Sequence, residues 1–126
     1  MVRGVASGRY CATLRSGGLN LVDVHDVARG HVLALEHGRP GERYLLGGTD
    51  LTLAEVFALI ARAAGRRPPR VRLPYALVQG LALARLANRH EVALARVPAW
   101  FSSAKAQREL GYEPGPVEAA VARAVA

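Results

Sequence analysis

The sequence predicts a small α/β domain, or an α+β domain if the chain folds by itself, that is rich in helix and has two or three short strands. Its 126 residues are enough for one domain. Hydrophobic residues make up 51% of the chain and charged residues 21%, which is typical of a packed globular protein and excludes a largely disordered one. Segments with helical apolar spacing alternate with shorter segments in which every second residue is apolar.

The whole chain divides into two predicted segments. Residues 1–18 are rich in glycine and arginine without a clear period, so we expect an irregular segment there. Residues 19–126 make up the rest, and they begin with a predicted half-buried strand at 19–24, where apolar and polar residues alternate. Asp26 is the predicted N-cap of the helix that follows, which we expect to end at the glycines and proline of residues 38–41.

The middle of the chain contains the clearest local signals. A second strand is predicted at residues 43–46, before two glycines. Thr52 and Glu55 have the spacing of a capping box, and Gly65 supplies a left-handed end for the helix that they begin. Residues 66–73 contain two prolines and must be extended.

The C-terminal part is predicted to be helical, with one open stretch. Pro74 suits the first turn of a helix that runs to about Asn88, and this helix is apolar nearly all round, so it must be buried or docked on a partner. The structure of residues 89–99 stays open. Ser102 or Ser103 caps a short helix that closes at Gly111, and two prolines lead into a last, alanine-rich helix.

Charge and hydropathy limit the classes of partner. The net charge of +7 comes from 16 arginines and one lysine against 10 acids. Guanidinium groups suit an anionic ligand, but scattered basic residues without interleaved aromatic residues disfavour nucleic acid. The longest uncharged stretch, residues 73–84, is too short to span a bilayer, so we expect no membrane partner. The start of the chain lacks the apolar core of a signal peptide and Cys11 is the only cysteine, so we expect a cytoplasmic protein.

Several catalytic systems lack their residue patterns in this chain. There is no G-x-G-x-x-G dinucleotide fingerprint, no Gly-Lys-Ser/Thr phosphate loop and no G-x-S-x-G nucleophile elbow. His25 and His31 are six residues apart, and no cysteine or carboxylate cluster has metal-ligand spacing, so we predict no metal site. His25 with its two neighbouring aspartates has the composition of an acid–base group, but we favour a capping role for these polar groups.

Three segments, taken together, resemble a known family. They read Leu-Asn-Leu-Val-Asp-Val-His-Asp-Val-Ala-Arg-Gly-His at 19–31, Gly-Glu-Arg-Tyr-Leu-Leu-Gly-Gly at 41–48, and Phe-Ser-Ser-Ala-Lys-Ala-Gln-Arg-Glu-Leu-Gly-Tyr-Glu-Pro at 101–114. In the same order, extended short-chain dehydrogenase/reductases (SDRs), the NAD-dependent epimerase/dehydratase family, carry V-H-V-x-D-V-A, Y-x-L-G-G and S-K-A-x-R-E-L-G-Y-x-P. The resemblance covers residues 18–120 and is nearest to hopanoid-associated sugar epimerases and dihydroflavonol-reductase-like members. Asp23 departs from it, because a histidine is common there.

The resemblance implies the C-terminal, substrate-lobe portion of a Rossmann-type extended SDR, occupying residues 19–126. In that family an arginine shortly before the S-K-A segment holds the substrate's diphosphate, and Arg96 is the matching position, so it is the candidate substrate-binding residue. Asp26, Arg43 and Tyr112 also match family positions, where capping, surface pairing and packing are the expected roles. Catalytic, cofactor-binding and metal-binding residues are not predicted in this chain.

The resemblance also implies a cofactor that this chain does not bind alone. Full-length members use NAD or NADP and a Tyr-x-x-x-Lys pair, and none of the four tyrosines here is followed by lysine at the fourth position. We therefore expect the substrate-binding fragment of an NAD(P)-dependent nucleotide-sugar epimerase, dehydratase or reductase, inactive alone. Its expected partners are a nucleotide-sugar and either a second copy or the missing Rossmann half. The alternative is a stand-alone protein-interaction or small-ligand-binding module derived from that lobe.

Overall fold

The structure is a computed structural model that describes residues 2–7, 12–14, 16–69, 71–83 and 97–126. It is mixed and rich in helix, as predicted. In chain order its elements are α1 (Val2–Ala6), β1 (Ala12–Leu14), β2 (Gly18–Leu21), α2 (Val24–His37), β3 (Thr49–Thr52), α3 (Leu53–Ala63), β4 (Val71–Leu73), α4 (Tyr75–Leu83), α5 (Ala104–Leu110) and α6 (Val117–Val125).

The described strands form two separate pairs. β1 pairs with β4 in parallel, with Ala12 opposite Val71. β2 pairs with β3 in antiparallel fashion, with Gly18 opposite Thr52. A parallel bridge from Leu19 to Ala99 extends the second pair by one contact. The described residues thus contain four short strands, where the sequence predicted two or three.

Buried residues form two hydrophobic clusters. The first surrounds α3, where Val56 and Ile60 are almost fully buried against Val5 of α1 and Val117 and Val121 of α6. The second joins α5 to α2 and to the extended segment 42–48. Its members are Ala106, Leu110 and Tyr112, with Leu33, Ala34, Tyr44 and Leu46 packed against them.

The capping box and both glycine helix ends are confirmed. The Thr52 hydroxyl accepts from the Glu55 backbone N–H, and Glu55 Oε2 accepts from the Thr52 backbone N–H at 2.8 Å. α3 ends in a Schellman motif, in which Gly65 has a φ of +66° and Arg66 N–H donates to the carbonyl of Ala61. Gly111 ends α5 with a φ of +67°.

Residues 1–18 are not irregular throughout. α1 and β1 lie within this segment. Val5 is only 2% exposed because it packs into the cluster around α3, which gives a five-residue helix a reason to form that its own sequence does not show. The division of the chain at residue 19 stays a prediction.

The strand predicted at residues 43–46 is wrong as a paired strand. No described strand hydrogen-bonds to this segment, although it lies without helix or turn between Glu42 and Gly48. Tyr44 and Leu46 pack against the second cluster, whereas Leu45 is 56% exposed. The side chains therefore alternate as in a strand, but a strand requires a neighbour, and the neighbour is absent from the described residues.

The predicted N-cap at Asp26 is also wrong. α2 begins at Val24, and its N-cap is Asp23, whose side chain accepts from His25 N–H at 2.8 Å. Asp26 lies in the first turn and bonds to a distant part of the chain. The capping role that we favoured over acid–base chemistry for this group is confirmed for Asp23.

Candidate functional site

The three segments that carry the family resemblance pack against one another. Asn20 of the first segment is the clearest junction. Its side-chain oxygen accepts from Gly48 N–H at 2.8 Å, and its amide nitrogen donates to Asp50 at 2.7 Å and to the carbonyl of Phe101 at 3.3 Å. One side chain therefore fixes the positions of all three segments relative to β2 and β3.

Glycines in the first two segments permit this close packing. A Cβ at Gly47 would lie 3.0 Å from the Asn20 side-chain oxygen, and a Cβ at Gly48 would lie 3.0 Å from the Cα of Val22. On α2, a Cβ at Gly30 would lie 2.7 Å from the side chain of Leu46. A larger residue at Gly48 would meet backbone and force the segments apart, whereas at Gly47 or Gly30 the neighbouring side chain of Asn20 or Leu46 would have to shift.

The first and third segments are joined by a buried carboxylate. Asp26 is 8% exposed and accepts from Gly115 N–H at 2.7 Å and from Arg29 at 3.0 Å. Arg29 also donates to the carbonyl of Glu113 at 3.0 Å. Asp26 and Arg29 therefore hold the loop that follows α5 against the first turns of α2.

The second and third segments meet through the chain's single lysine. Lys105 lies 2.5 Å from Glu42, donates to the carbonyl of Arg43 at 3.2 Å and stands 4.8 Å above the ring of Tyr44. The Tyr44 hydroxyl donates to Glu109 and accepts from Arg39 N–H. The hydrogen bond from Lys105 holds the pKa of Glu42 below its ordinary value, and the same bond raises the pKa of Lys105.

Arg96, the predicted diphosphate-binding residue, lies outside the described residues. The chain is fixed to β2 three residues later, because Ala99 N–H donates to the carbonyl of Gly18 and Asn20 N–H donates to the carbonyl of Ala99. Trp100 crosses β2 so closely that a Cβ at Gly18 would lie 3.0 Å from Cε2 of the indole and still closer to its Nε1. The role of Arg96 in binding substrate stays a prediction.

The other matched positions differ in outcome. Tyr112 is 1% exposed and confirms the predicted packing role. Its hydroxyl has no hydrogen-bond partner among the described residues, and burial, followed by the negative charge of Asp26, raises its pKa. Arg43 is exposed and contributes only its carbonyl to Lys105. Within the described part of the chain its side chain forms no ion pair, so surface pairing is not observed.

Sequence reasoning missed two residues that organise the site. One is Asn20, a polar residue inside an alternating strand. The other is Asp23, which is 7% exposed and binds Arg123 of α6. The hydrogen bond from Arg123 and then that from His25 N–H hold the pKa of Asp23 below its ordinary value. The spacing Asp-x-x-Asp before a helix was the available signal, because an N-cap residue is often followed three positions later by an acidic one.

The described starts of α2 and α3 do not fit the pyrophosphate of a nicotinamide dinucleotide. A pyrophosphate binds best to free N–H groups at a helix N-terminus. Here α2 begins with the carboxylates of Asp23 and Asp26, and the start of α3 is closed by Thr52 and Glu55. We therefore derive no hydride-transfer step from these residues.

Three further features of the described residues are a surface depression, the metal-ligating side chains and the lengths of the helices. A shallow depression of about 420 Å³ is lined by Gln107, Tyr112, Glu113 and Pro114, with no basic side chain to hold a diphosphate. No group of three metal-ligating side chains occurs in the described ranges. In the same ranges no helix has both the length and the apolar character needed to cross a membrane. Among the described residues the site consists of hydrogen bonds, ion pairs and packing contacts that join the three segments.

Comparison with known proteins decides the family. The chain is 31% identical to the sterol demethylase protein B of Methylococcus capsulatus across 96% of its own length, and 32% identical to a putative dihydroflavonol 4-reductase of Synechocystis across 86%. It superposes with a TM-score of 0.78 and 30% identity on PA4631, a nucleoside-diphosphate-sugar epimerase from Pseudomonas aeruginosa, across 98% of its length. The chain belongs to the NAD-dependent epimerase/dehydratase family. No model of a protein family matches it.

This extended SDR chain matches only a part of its relatives. It spans 40% of the sterol demethylase protein, 36% of the dihydroflavonol reductase and 39% of the epimerase structure. The fold predicted from the resemblance, a portion of a Rossmann-type extended SDR, is confirmed at this level. The family is NAD(P)-dependent. This chain corresponds to only a part of such a full-length protein.

Proposed function

We propose that this chain is the substrate-binding part of an NAD(P)-dependent nucleotide-sugar epimerase, dehydratase or reductase and that it is inactive without a cofactor-binding part. The observation that carries the proposal is the match itself, which covers nearly all of this chain and about two fifths of each relative. The proposal is further supported by the lack of a glycine fingerprint and of a Tyr-x-x-x-Lys pair in these 126 residues.

Segment 42–48 is the proposed docking edge for the cofactor-binding part. Its backbone is extended, its side chains alternate between packed and exposed, and no described strand pairs with it. In the family the corresponding strand belongs to the main parallel sheet. The N–H and carbonyl groups of Leu45 and Leu46 have no backbone partner among the described residues and offer the hydrogen bonds that such a sheet would use.

Hydrogen exchange tests the docking edge. We expect the amides of Leu45 and Leu46 to exchange rapidly in the isolated chain and to become protected when a cofactor-binding part is present, whereas the amides in the middle of α3 are protected in both states. Rapid exchange of Leu45 and Leu46 in both states would contradict the proposed docking edge.

A nucleoside diphosphate sugar is the proposed ligand of the substrate-binding part, and Arg96 is the proposed contact to its diphosphate. The likeness to a nucleoside-diphosphate-sugar epimerase supports this class, and a guanidinium suits the two phosphates. UDP-glucose is a practical probe for calorimetry. We expect millimolar binding in the isolated chain, a loss of about tenfold in Arg96→Ala and no change in the matched control Arg89→Ala.

The same titration separates this proposal from its rivals. Equal binding of UDP-glucose by both variants would contradict the role of Arg96. The names of two relatives, a sterol demethylase protein and a dihydroflavonol reductase, favour a second substrate class without a diphosphate. Binding of a sterol or flavonoid in the absence of any binding of UDP-glucose would favour that class.

The isolated chain is proposed to bind neither NAD nor NADP. The fluorescence of NADPH, titrated with the chain, is the direct measurement. Unchanged emission is the expected result, and enhanced emission that saturates would contradict the proposal. The cytoplasm is the proposed compartment, where these cofactors are available and the lone Cys11 stays reduced.

A stand-alone interaction module is the second candidate. Exposed apolar side chains at Val97, Trp100 and Phe101 favour it, because each is at least half exposed. Self-association through these residues predicts a sedimentation coefficient that rises with protein concentration. A monomer at all concentrations, together with binding of UDP-glucose, would favour the substrate-binding part instead.

A further inference from the structure

The positive charge of this chain is concentrated in one region. Residues 56–90 contain seven arginines and no aspartate or glutamate, whereas the rest of the chain contains ten basic and ten acidic residues. The whole net charge of +7 therefore belongs to this region. The basic residues themselves are spread along the chain, but those outside this region are balanced by acids and those within it are not.

Three arginines of this region are exposed in the structure. Arg62 lies in the last turn of α3, and Arg66 and Arg67 follow the Ala64-Gly65 end of that helix. Within the described ranges none of the three has an acidic partner. Their charge is not neutralised by the part of the fold around them.

The elements that follow these arginines present apolar side chains to solvent. Val71 at the start of β4 is 54% exposed and Leu77 of α4 is 58% exposed. None of the α4 side chains from Ala76 to Gly80 is buried. The helix belongs to the uncharged stretch 73–84, so an apolar element follows a basic one within ten residues of the chain.

We propose that the exposed side chains of Arg62, Arg66 and Arg67, together with those of Val71 and Leu77, form a docking surface for an anionic lipid bilayer. Exposed guanidinium groups are attracted to negatively charged headgroups, and apolar side chains of a short helix enter the boundary between headgroups and acyl chains. The helix lies in the plane of this boundary, because α4 is far too short to span the hydrocarbon core. The proposal does not depend on the proposed role of Arg96.

Nucleic acid is the competing partner for a basic surface, and the observations favour lipid. A surface that binds a single strand interleaves aromatic side chains with its basic ones, whereas the one aromatic residue between Arg62 and Leu77 is Tyr75, which follows all the arginines of that stretch. A phosphate backbone would also leave Val71 and Leu77 uncovered. The expectation of no membrane partner rested on the lack of a spanning helix, which has no bearing on binding at the surface of a bilayer.

Sedimentation with vesicles tests the proposal on the whole 126-residue chain. We expect the chain to bind vesicles of phosphatidylglycerol mixed with phosphatidylcholine, not vesicles of phosphatidylcholine alone, and to bind less as salt is added. The double variant Arg66→Glu/Arg67→Glu loses about tenfold or more in affinity. The matched control Arg39→Glu/Arg108→Glu changes the net charge equally, at exposed positions elsewhere, and retains binding.

A second pair of variants tests the apolar contribution. Leu77→Asn weakens vesicle binding, whereas Leu35→Asn, at an exposed leucine of α2, does not. Circular dichroism establishes that all variants are folded. Equal binding to both kinds of vesicle, no binding to either, or equal losses in both double variants would overturn the proposal. Salt-dependent binding to DNA without binding to vesicles would also overturn it, in favour of nucleic acid.

Discussion

Asp23 and Arg123 are 100 residues apart in the chain and form a two-pronged ion pair at the start of α2, with Arg123 Nε 3.0 Å from Asp23 Oδ2. The other carboxylate oxygen of Asp23 accepts from His25 N–H. One side chain therefore caps α2 and holds α6 in place. Because the two roles use different oxygens, substitution can separate the contribution of the cap from that of the ion pair.

Substitution of Asp23 tests the double role. Asp23→Asn keeps an oxygen for the helix cap but loses the charge, whereas Asp23→Ala loses both, so we expect the melting temperature to fall in Asp23→Asn and further in Asp23→Ala. Arg123→Met removes the pair from the other side and keeps the aliphatic stem. Thermal melts of the double variant Asp23→Asn/Arg123→Met complete the cycle. Additive losses would mean that the two side chains do not interact.

Stability is expected to fall in acid. The pKa of Asp23 and that of Glu42 both lie below their ordinary values, so the folded chain binds fewer protons than the unfolded chain in mild acid. The stabilisation is complete above the unfolded pKa values of about 4 and is lost as the pH falls through the lower, folded values. Thermal melts between about pH 6 and pH 3 measure it.

A variant without these carboxylates controls the acid experiment. Asp23→Asn/Glu42→Gln melts at a lower temperature near neutral pH, and its melting temperature falls less steeply in acid. The two curves therefore converge. Parallel curves would show that other groups cause the acid dependence.

Tyr112 and Tyr44 are expected to respond oppositely to loss of the hydroxyl. The Tyr112 hydroxyl is buried without a partner among the described residues, so Tyr112→Phe keeps or raises the stability, by up to about 1 kcal/mol. The Tyr44 hydroxyl bonds to Glu109 and to Arg39 N–H, so Tyr44→Phe costs about 1 kcal/mol. Urea unfolding measures both. A clear loss in Tyr112→Phe would mean that its hydroxyl is hydrogen-bonded.

The N-terminal helix is expected to contribute to the core. Val5 is 2% exposed and packs with Val56 and Ile60, so Val5→Ala lowers the free energy of unfolding by about 2 kcal/mol. Arg3→Ala, on the exposed side of the same helix, is the control and changes little. Urea midpoints compare them. If Val5→Ala and Arg3→Ala unfold at the same urea concentration, α1 does not unfold together with the rest of the domain.

Elements that depend on nearby residues were predictable from the sequence. The capping box at Thr52, the left-handed glycines at positions 65 and 111 and the prolines before α4 each act within a few residues, and all appear in the structure. The family resemblance also rests on local signals, namely three different short motifs that occur in the family's order.

Elements that depend on distant contacts were not predictable. Asp26 was chosen as an N-cap, but its carboxylate is bound to Gly115 N–H, 89 residues away, and Asp23 takes the cap. The segment around Leu45 has the pattern of a strand and no neighbour in the described residues. α1 is stabilised because Val5 packs into the cluster around α3, and the five residues of the helix alone do not indicate this contact.

The size and composition of the native polypeptide that contains this sequence test the central claim, that the chain is the substrate-binding part of a larger enzyme. It is isolated from its source cells with an antibody against residues 101–126, and mass spectrometry identifies the whole polypeptide and any chain bound to it. Our account predicts a G-x-G-x-x-G fingerprint and a Tyr-x-x-x-Lys pair, either on the same polypeptide or on a bound chain. A 13.4 kDa polypeptide without such a partner would contradict it.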